Sequence, residues 1–358
     1  MASDTIGILT FHRCINYGSY WQARCLVEGL RARGHDAVLL DHHLRKVTWA
    51  EWRCAFQPVL PRRTSRADQR DYGRKARRFL AAFAELPLSP AFALDAPGAM
   101  QPCHTVVVGS DEVWNLTHPW YGGRPLFYGE GLSAQRMVSY AASFGNYDAA
   151  AGLDGSWRQR LGRFDAISVR DENSRALVHQ ALGREPPLVL DPVLQFPAPA
   201  MVPGATPAIA DRPYIAVYGH GMPAWFEARV AAAARGAGYR TVSVGYRNDF
   251  ADEQRLDAGP EEFARIMAGA AAVATNFFHG CVFALLHGKP FACAPSPYRF
   301  NKVRDLTGAL GATRHLATEA DGEENVTQLL TQPLAPAIPA ALARLRAASD
   351  DYLAAALA

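Results

Sequence analysis

Ala274-Thr275-Asn276-Phe277-Phe278-His279-Gly280-Cys281-Val282-Phe283-Ala284-Leu285-Leu286-His287-Gly288-Lys289-Pro290-Phe291 decides how this chain is read. An apolar strand closes at Thr275, a short turn carries His279, an apolar helix follows, and Gly288-Lys289-Pro290 leads into the next strand. On this reading the turn sets an imidazole beside the amide N–H groups of Gly280, Cys281 and Val282 at a helix start. Such amides have no partner inside the helix and lie at its positive end. The expectation is an anion site for a phosphate or carboxylate, with His279 in reach. His287, near the helix end, reads as a packing or capping residue. The two histidines are not spaced like metal ligands on one helical turn, so no metal is expected.

Working outward, short apolar runs alternate with helical segments, the pattern of parallel sheets with crossover helices. Strands are expected at 6–11, 37–40, 105–108, 137–141, 166–169 and 188–190, with a helix over 20–33. A Pro/Ala-rich stretch follows, and a second half restarts at 214–218, with strands at 241–244, 272–275 and 291–294 and helices over 225–236 and 261–269. The expected organisation is an N-terminal Rossmann-like domain over 1–196 and a linker over 197–213. A C-terminal Rossmann-like domain over 214–338 carries the anion site, and a helix over 339–358 packs back on the first domain. The fold class is α/β, with two Rossmann-like domains facing a cleft. Open α/β sheets bind ligands beyond the carboxyl ends of their strands, and the distinctive polar residues fall there.

Three such strand ends stand out in the first half. Asn16-Tyr17-Gly18-Ser19 opens a helix, where Gly18 permits close backbone approach and Ser19 can cap; a plain capped turn is the competing reading. Gly109-Ser110-Asp111-Glu112-Val113-Trp114-Asn115 suits a sugar site, with a carboxylate for hydroxyls and a partly exposed indole for a pyranose face. Alternatively, Trp114 is core and Asp111 a helix cap. Ser168-Val169-Arg170-Asp171 would send Arg170 into the cleft, where a guanidinium grips a carboxylate or phosphate by two parallel hydrogen bonds. The alternative is a structural pair of Arg170 with Asp171 or Glu172. In the second half, Arg299 and Lys302 follow the Gly-Lys-Pro strand, either above the anion site or in a solvated basic turn. His220 reads as a neutral turn histidine.

Composition narrows the classes. The chain has 358 residues, 49% hydrophobic and 20% charged, with net charge +3. That is room for two cores and too little charge for a nucleic-acid binder. None of the six cysteines forms a Cys-x-x-Cys pair, which argues against a zinc or redox motif. Neither a secretory leader nor a ~20-residue apolar run is read, so a cytoplasmic location is expected. Arg62, Arg63, Arg66, Arg70, Arg74, Lys75, Arg77 and Arg78 form a basic run. It is either a solvated helix face or a surface for anionic lipid or a phosphate-bearing acceptor. No nucleic-acid partner is expected.

These segments together resemble the polysaccharide pyruvyl transferase family. The resemblance rests on Asn16-Tyr17-Gly18-Ser19, Gly109-Ser110-Asp111-Glu112-Val113-Trp114-Asn115, Ser168-Val169-Arg170-Asp171, Asp191-Pro192-Val193, and the Thr275 to Pro290 stretch. This chain has Phe277 where the family has Ser, and Glu112 for a common Gln. The resemblance implies a GT-B-like fold and transfer of pyruvyl from phosphoenolpyruvate to two hydroxyls of a sugar or glycan, giving a cyclic ketal, with no cofactor beyond that co-substrate. His279 would be the acid. Arg170, Gly280, Cys281, Arg299 and Lys302 would hold the donor's anionic groups. Asn16, Gly18, Ser19, Asp111 and Trp114 would orient the acceptor, lipid-linked or not, with Asp111 as base. Three alternatives compete: a nucleotide-sugar glycosyltransferase of the same fold, a member diverted to small-molecule or natural-product modification, and a non-catalytic carbohydrate-binding protein.

Overall fold

The computed structural model describes residues 4–60, 62–198, 201 and 212–358. Most of the expected linker over 197–213 lies outside the described residues. The first elements are β1 (Ile6–Leu9), α1 (Tyr17–Ala32), β2 (Ala37–Leu39), β3 (His42–His43), α2 (Arg45–Phe56) and α3 (Arg66–Ala84). Then come β4 (Phe92–Ala93), β5 (Cys103–Val108), β6 (Ala134–Ser139), α4 (Gly155–Leu161), α5 (Glu172–Leu182) and α6 (Pro192–Gln195). The second half runs β7 (Tyr214–Tyr218), α7 (Ala224–Ala237), β8 (Arg240–Val244), β9 (Glu253–Arg255), α8 (Pro260–Gly269) and β10 (Ala272–Thr275). It ends with α9 (Phe278–Leu286), β11 (Phe291–Cys293), α10 (Pro297–Ala309), α11 (Gly322–Thr331) and α12 (Ala337–Leu357).

The chain divides into two compact units. The first is Met1–Glu51, Glu85–Ala198 and Ala343–Ala358; the second is Trp52–Ala84 and Pro199–Leu342. Residues 52–84, assigned from the sequence to the N-terminal domain, thus belong to the second unit. The physical reason is α3. Tyr72, Ala76, Phe79 and Phe83 recur at helical spacing and are buried. Its polar flank is tied to the same unit by Arg247–Asp68 at 2.5 Å and Arg78–Glu262 at 2.7 Å.

In the first unit the sheet order is β2-β1-β5-β6, all parallel. The strands expected at 166–169 and 188–190 make single parallel bridges, Val138 to Ala166 and Val169 to Leu188, that extend it. Val106, Val108, Trp114 and Phe127 anchor its core. The C-terminal part of α12 belongs here: Ser349 Oγ accepts from Leu190 N at 2.9 Å, and Tyr352 donates to Ser139 O at 2.6 Å. In the second unit the order is β11-β10-β7-β8-β9, again parallel, over a core of Ile215, Val217, Phe226 and Val326. Each sheet reverses its direction of growth once, between β1 and β5 and between β7 and β10. Those switch points are where an open α/β sheet leaves a crevice beyond its strand ends.

Candidate functional site

At the β1/β5 switch of the first unit, Asn16 is the N-cap of α1, its side chain accepting from Ser19 N at 3.2 Å. Ser19 is therefore inside the helix rather than its cap. Its hydroxyl donates to Asp111 Oδ2 at 3.0 Å. Asp111 also accepts from Arg170 Nη2 at 3.0 Å and from Glu112 N at 2.9 Å on Oδ1. Its φ is 72°, the left-handed region that costs a residue with a Cβ about 1–2 kcal/mol. The strain is held by these bonds, and it aims the carboxylate back toward α1. Asn16, Ser19 and Asp111 are thus linked by hydrogen bonds at one strand end, with Gly18 in the first turn of α1.

Arg170 does not present an open guanidinium. Its side chain is 2% exposed and paired on both sides, Nη1 to Asp191 Oδ2 and Nη2 to Asp111 Oδ1, each at 3.0 Å. Asp191 also caps α6 through Val193 N at 3.1 Å. The expectation that Arg170 grips a ligand anion is corrected: a buried charge demands fixed counter-charges, and two aspartates supply them. Asp171 caps α5 by accepting from Ser174 N at 2.8 Å, and burial pushes its carboxyl up. Arg170 positions Asp111.

Trp114 is also corrected. It is fully buried, donates from Nε1 to Phe127 O at 2.8 Å, and packs against Phe144 and Phe164. It builds the core that holds the Asp111 turn and offers no ring to a sugar.

At the β7/β10 switch of the second unit, Thr275 Oγ1 donates to Tyr218 O at 2.6 Å and accepts from Phe277 N at 3.0 Å, tying both strand ends together. Gly280 is packed so tightly on Thr275 that an added Cβ would lie 2.0 Å from its hydroxyl oxygen. This close approach seats the start of α9 on β10. His279 is the second residue of α9 and half-buried. The helix begins earlier than expected: Gly280 N and Cys281 N both donate to Phe277 O, at 3.1 and 3.4 Å. Those two amides are therefore removed from the anion-binding set, and the positive end of the helix falls at Phe278 and His279.

Phe277, the chain's departure from the family pattern, sits under the guanidinium of Arg299, 4.3 Å from its ring centre. Tyr218, His220 and Tyr246 meet the same ring edge-on at 5.0, 5.3 and 5.4 Å. Arg299 also donates to Ser296 Oγ at 3.1 Å. The segment expected as a basic turn is the first part of α10, entered through Ser296 and Pro297. That places Arg299 and Lys302 three residues apart on one helical side. The pKa of His220 is pushed down to about 4 by burial and then by the Arg299 and Lys75 cations, so this imidazole is neutral near pH 7.

Sequence reasoning missed Lys75 here. It is buried, donates to Gly245 O at 3.0 Å and lies 4.4 Å over the Tyr246 ring. The helical recurrence Tyr72, Lys75, Ala76, Phe79 was the available signal. His287 caps the end of α9, its pKa pushed down to about 4 by burial and Lys289. Among the described residues no cluster of His, Cys, Asp or Glu is arranged to hold a metal ion, and no helix is long and apolar enough to cross a membrane.

No curated protein matches the chain. Among solved structures, UDP-GlcNAc 2-epimerase from Neisseria meningitidis bound to UDP-GlcNAc is similar, at 10% identity and TM-score 0.53 over 98% of this chain and 99% of that one. Another UDP-N-acetylglucosamine 2-epimerase gives 11% identity and TM-score 0.52 over 96% and 94%. At such identities the likeness shows the fold alone, and that fold is GT-B-like, α/β with two Rossmann-like units. The model of the family described as polysaccharide pyruvyl transferase matches residues 16–295, most of the chain and every strand-end motif above up to α9. The chain belongs to the polysaccharide pyruvyl transferase family, a family of transferases.

Proposed function

We propose that the protein transfers pyruvyl from phosphoenolpyruvate to two hydroxyls of a sugar or glycan, forming a cyclic ketal and releasing phosphate. The observation that carries this reading is His279 in the first turn of α9, at a sheet switch point, in a chain of this family. His279 protonates the methylene carbon of the donor, which becomes a methyl group and leaves C2 cation-like. One acceptor hydroxyl adds to C2 and gives up its proton. The C2–O bond to phosphate then breaks, the second hydroxyl adds to C2, and its proton leaves with the phosphate. Two hydroxyl protons are lost, one replacing that given to carbon, so the reaction balances without oxidant or reductant.

Arg299 and Lys302 on α10 hold the donor's carboxylate or phosphate, aided by the positive end of α9. Asp111, aimed by Arg170 and Ser19, accepts from an acceptor hydroxyl, with Asn16 beside it. No further cofactor enters. Incubation with phosphoenolpyruvate and candidate sugars, followed by mass spectrometry and phosphate assay, should show one pyruvyl ketal per phosphate released. His279→Ala should lower turnover about 10²–10⁴-fold. Undiminished turnover would remove His279 as the acid. Sugar transfer from a nucleotide donor with no phosphoenolpyruvate turnover would favour the glycosyltransferase reading.

A further inference from the structure

The basic run splits into two sets. Arg62 pairs with Asp249, Arg74 with Asp71 and Asp257, and Arg78 with Asp257 and Glu262, while Lys75 is buried. These residues dock α3 on its own unit. Arg63, Arg66, Arg70 and Arg77 are exposed and have no ion pair among the described residues.

The second set is geometrically coherent. At 100° per residue, Arg66, Arg70 and Arg77 fall within roughly 40° of one another on α3, opposite the buried face of Tyr72, Lys75, Phe79 and Phe83. The stripe ends at Leu80, 44% exposed, one more step along the same side. Leu60, in the loop before α3, is 73% exposed. Its loop is shaped by Gln57, which donates to Val59 O at 3.1 Å and to Arg62 O, and accepts from Thr64 N at 3.1 Å. From Arg66 to Leu80 the row spans about 21 Å at 1.5 Å per residue.

We infer that this face of α3 docks the protein on an anionic lipid surface. The apolar side of α3 is committed to its own core, so the helix lies on the surface by charge, with Leu60 and Leu80 as shallow apolar contacts. Arginine suits lipid phosphates because its planar fork donates two parallel bonds. Solvent-facing leucines distinguish a lipid surface from a purely charged polyanion. The inference does not rest on the reaction proposed above.

The test is sedimentation of the full chain with neutral phosphatidylcholine vesicles and with vesicles carrying phosphatidylglycerol. Binding to the anionic vesicles only is expected, and its loss at roughly 1 M salt, where the screening length is about 3 Å. At about 1 kcal/mol per cation, the triple variant Arg66→Ser/Arg70→Ser/Arg77→Ser should bind on the order of 100-fold more weakly. Arg235→Ser, an exposed arginine on α7, should bind like the parent. Thermal melting checks that the triple variant folds; if it does not, Leu60→Ser/Leu80→Ser replaces it, with several-fold weaker vesicle binding expected. Equal binding to both vesicle types, or unchanged binding by the variants, would overturn the inference. So would preferential binding of RNA or polyphosphate over vesicles.

Discussion

The two switch-point clusters solve different electrostatic problems. In the first unit, one buried cation, Arg170, is matched by two carboxylates, Asp111 and Asp191. In the second, cations lean on aromatic faces: Arg299 on Phe277 and Lys75 on Tyr246, with a neutral His220 between those rings. Such ion pairs fix the direction of a carboxylate, which suits the ordering of hydroxyls. A cation over an aromatic face is held by the negative face of the ring rather than by a carboxylate. Under the proposed reaction, the first cluster suits the acceptor and the second the donor.

Removing Arg170 should break the comparison hardest. Arg170→Ala leaves two buried aspartates facing one another and should cost about 3–5 kcal/mol in chemical denaturation. Arg170→Lys supplies a point charge without the fork and should recover only part of that stability. A variant as stable as the parent would mean that the network is slack and that Asp111 is not held by it.

Acid should act next. The imidazole of His220 is held down to about 4 from its ordinary 6.5, so below pH 6.5 the unfolded chain binds more protons than the folded one. Stability is full above about pH 6.5 and drains as the pH falls toward 4, by about 3 kcal/mol from this residue. His42, fully enclosed in the first unit, is pushed lower still, to about 3, by burial and then by His12. His220→Gln should flatten the acid limb of a melting-temperature profile relative to the parent. An unchanged limb would locate the acid sensitivity elsewhere.

Arg299→Ala should have the smallest effect on folding, about 0.5–1 kcal/mol for the lost stacking on Phe277. Its signature should be kinetic, a raised KM for phosphoenolpyruvate with kcat less affected. Arg170 variants should instead change how the acceptor binds. If both variants altered only donor KM, the division of labour between the clusters would fail.

Much of this was legible in the sequence because strand ends carry local signals. Gly109-Ser110-Asp111 and Thr275-Asn276 follow apolar runs, and parallel sheets put such residues at ligand crevices. What was hidden was long-range. Arg170 finds Asp111 and Asp191 from 59 and 21 positions away, and no local pattern tells a paired guanidinium from an open one. Trp114 reads equally as core or platform until Phe127, Phe144 and Phe164 close around it. The start of α9 was misplaced because its N-cap is Phe277, which makes no side-chain cap bond and so leaves no capping signal. The placement of α3 with the second unit required contacts of residues 68, 75 and 78 with 247, 245 and 262, invisible to any window of sequence.

Ligand-dependent thermal stability tests the central claim, donor identity, without knowing the acceptor. Phosphoenolpyruvate at about 100-fold above its Kd should stabilise the protein by about 2.7 kcal/mol, with UDP and GDP giving no shift. Arg299→Ala should blunt the response. Stabilisation by a nucleotide diphosphate, with none by phosphoenolpyruvate, would contradict the account.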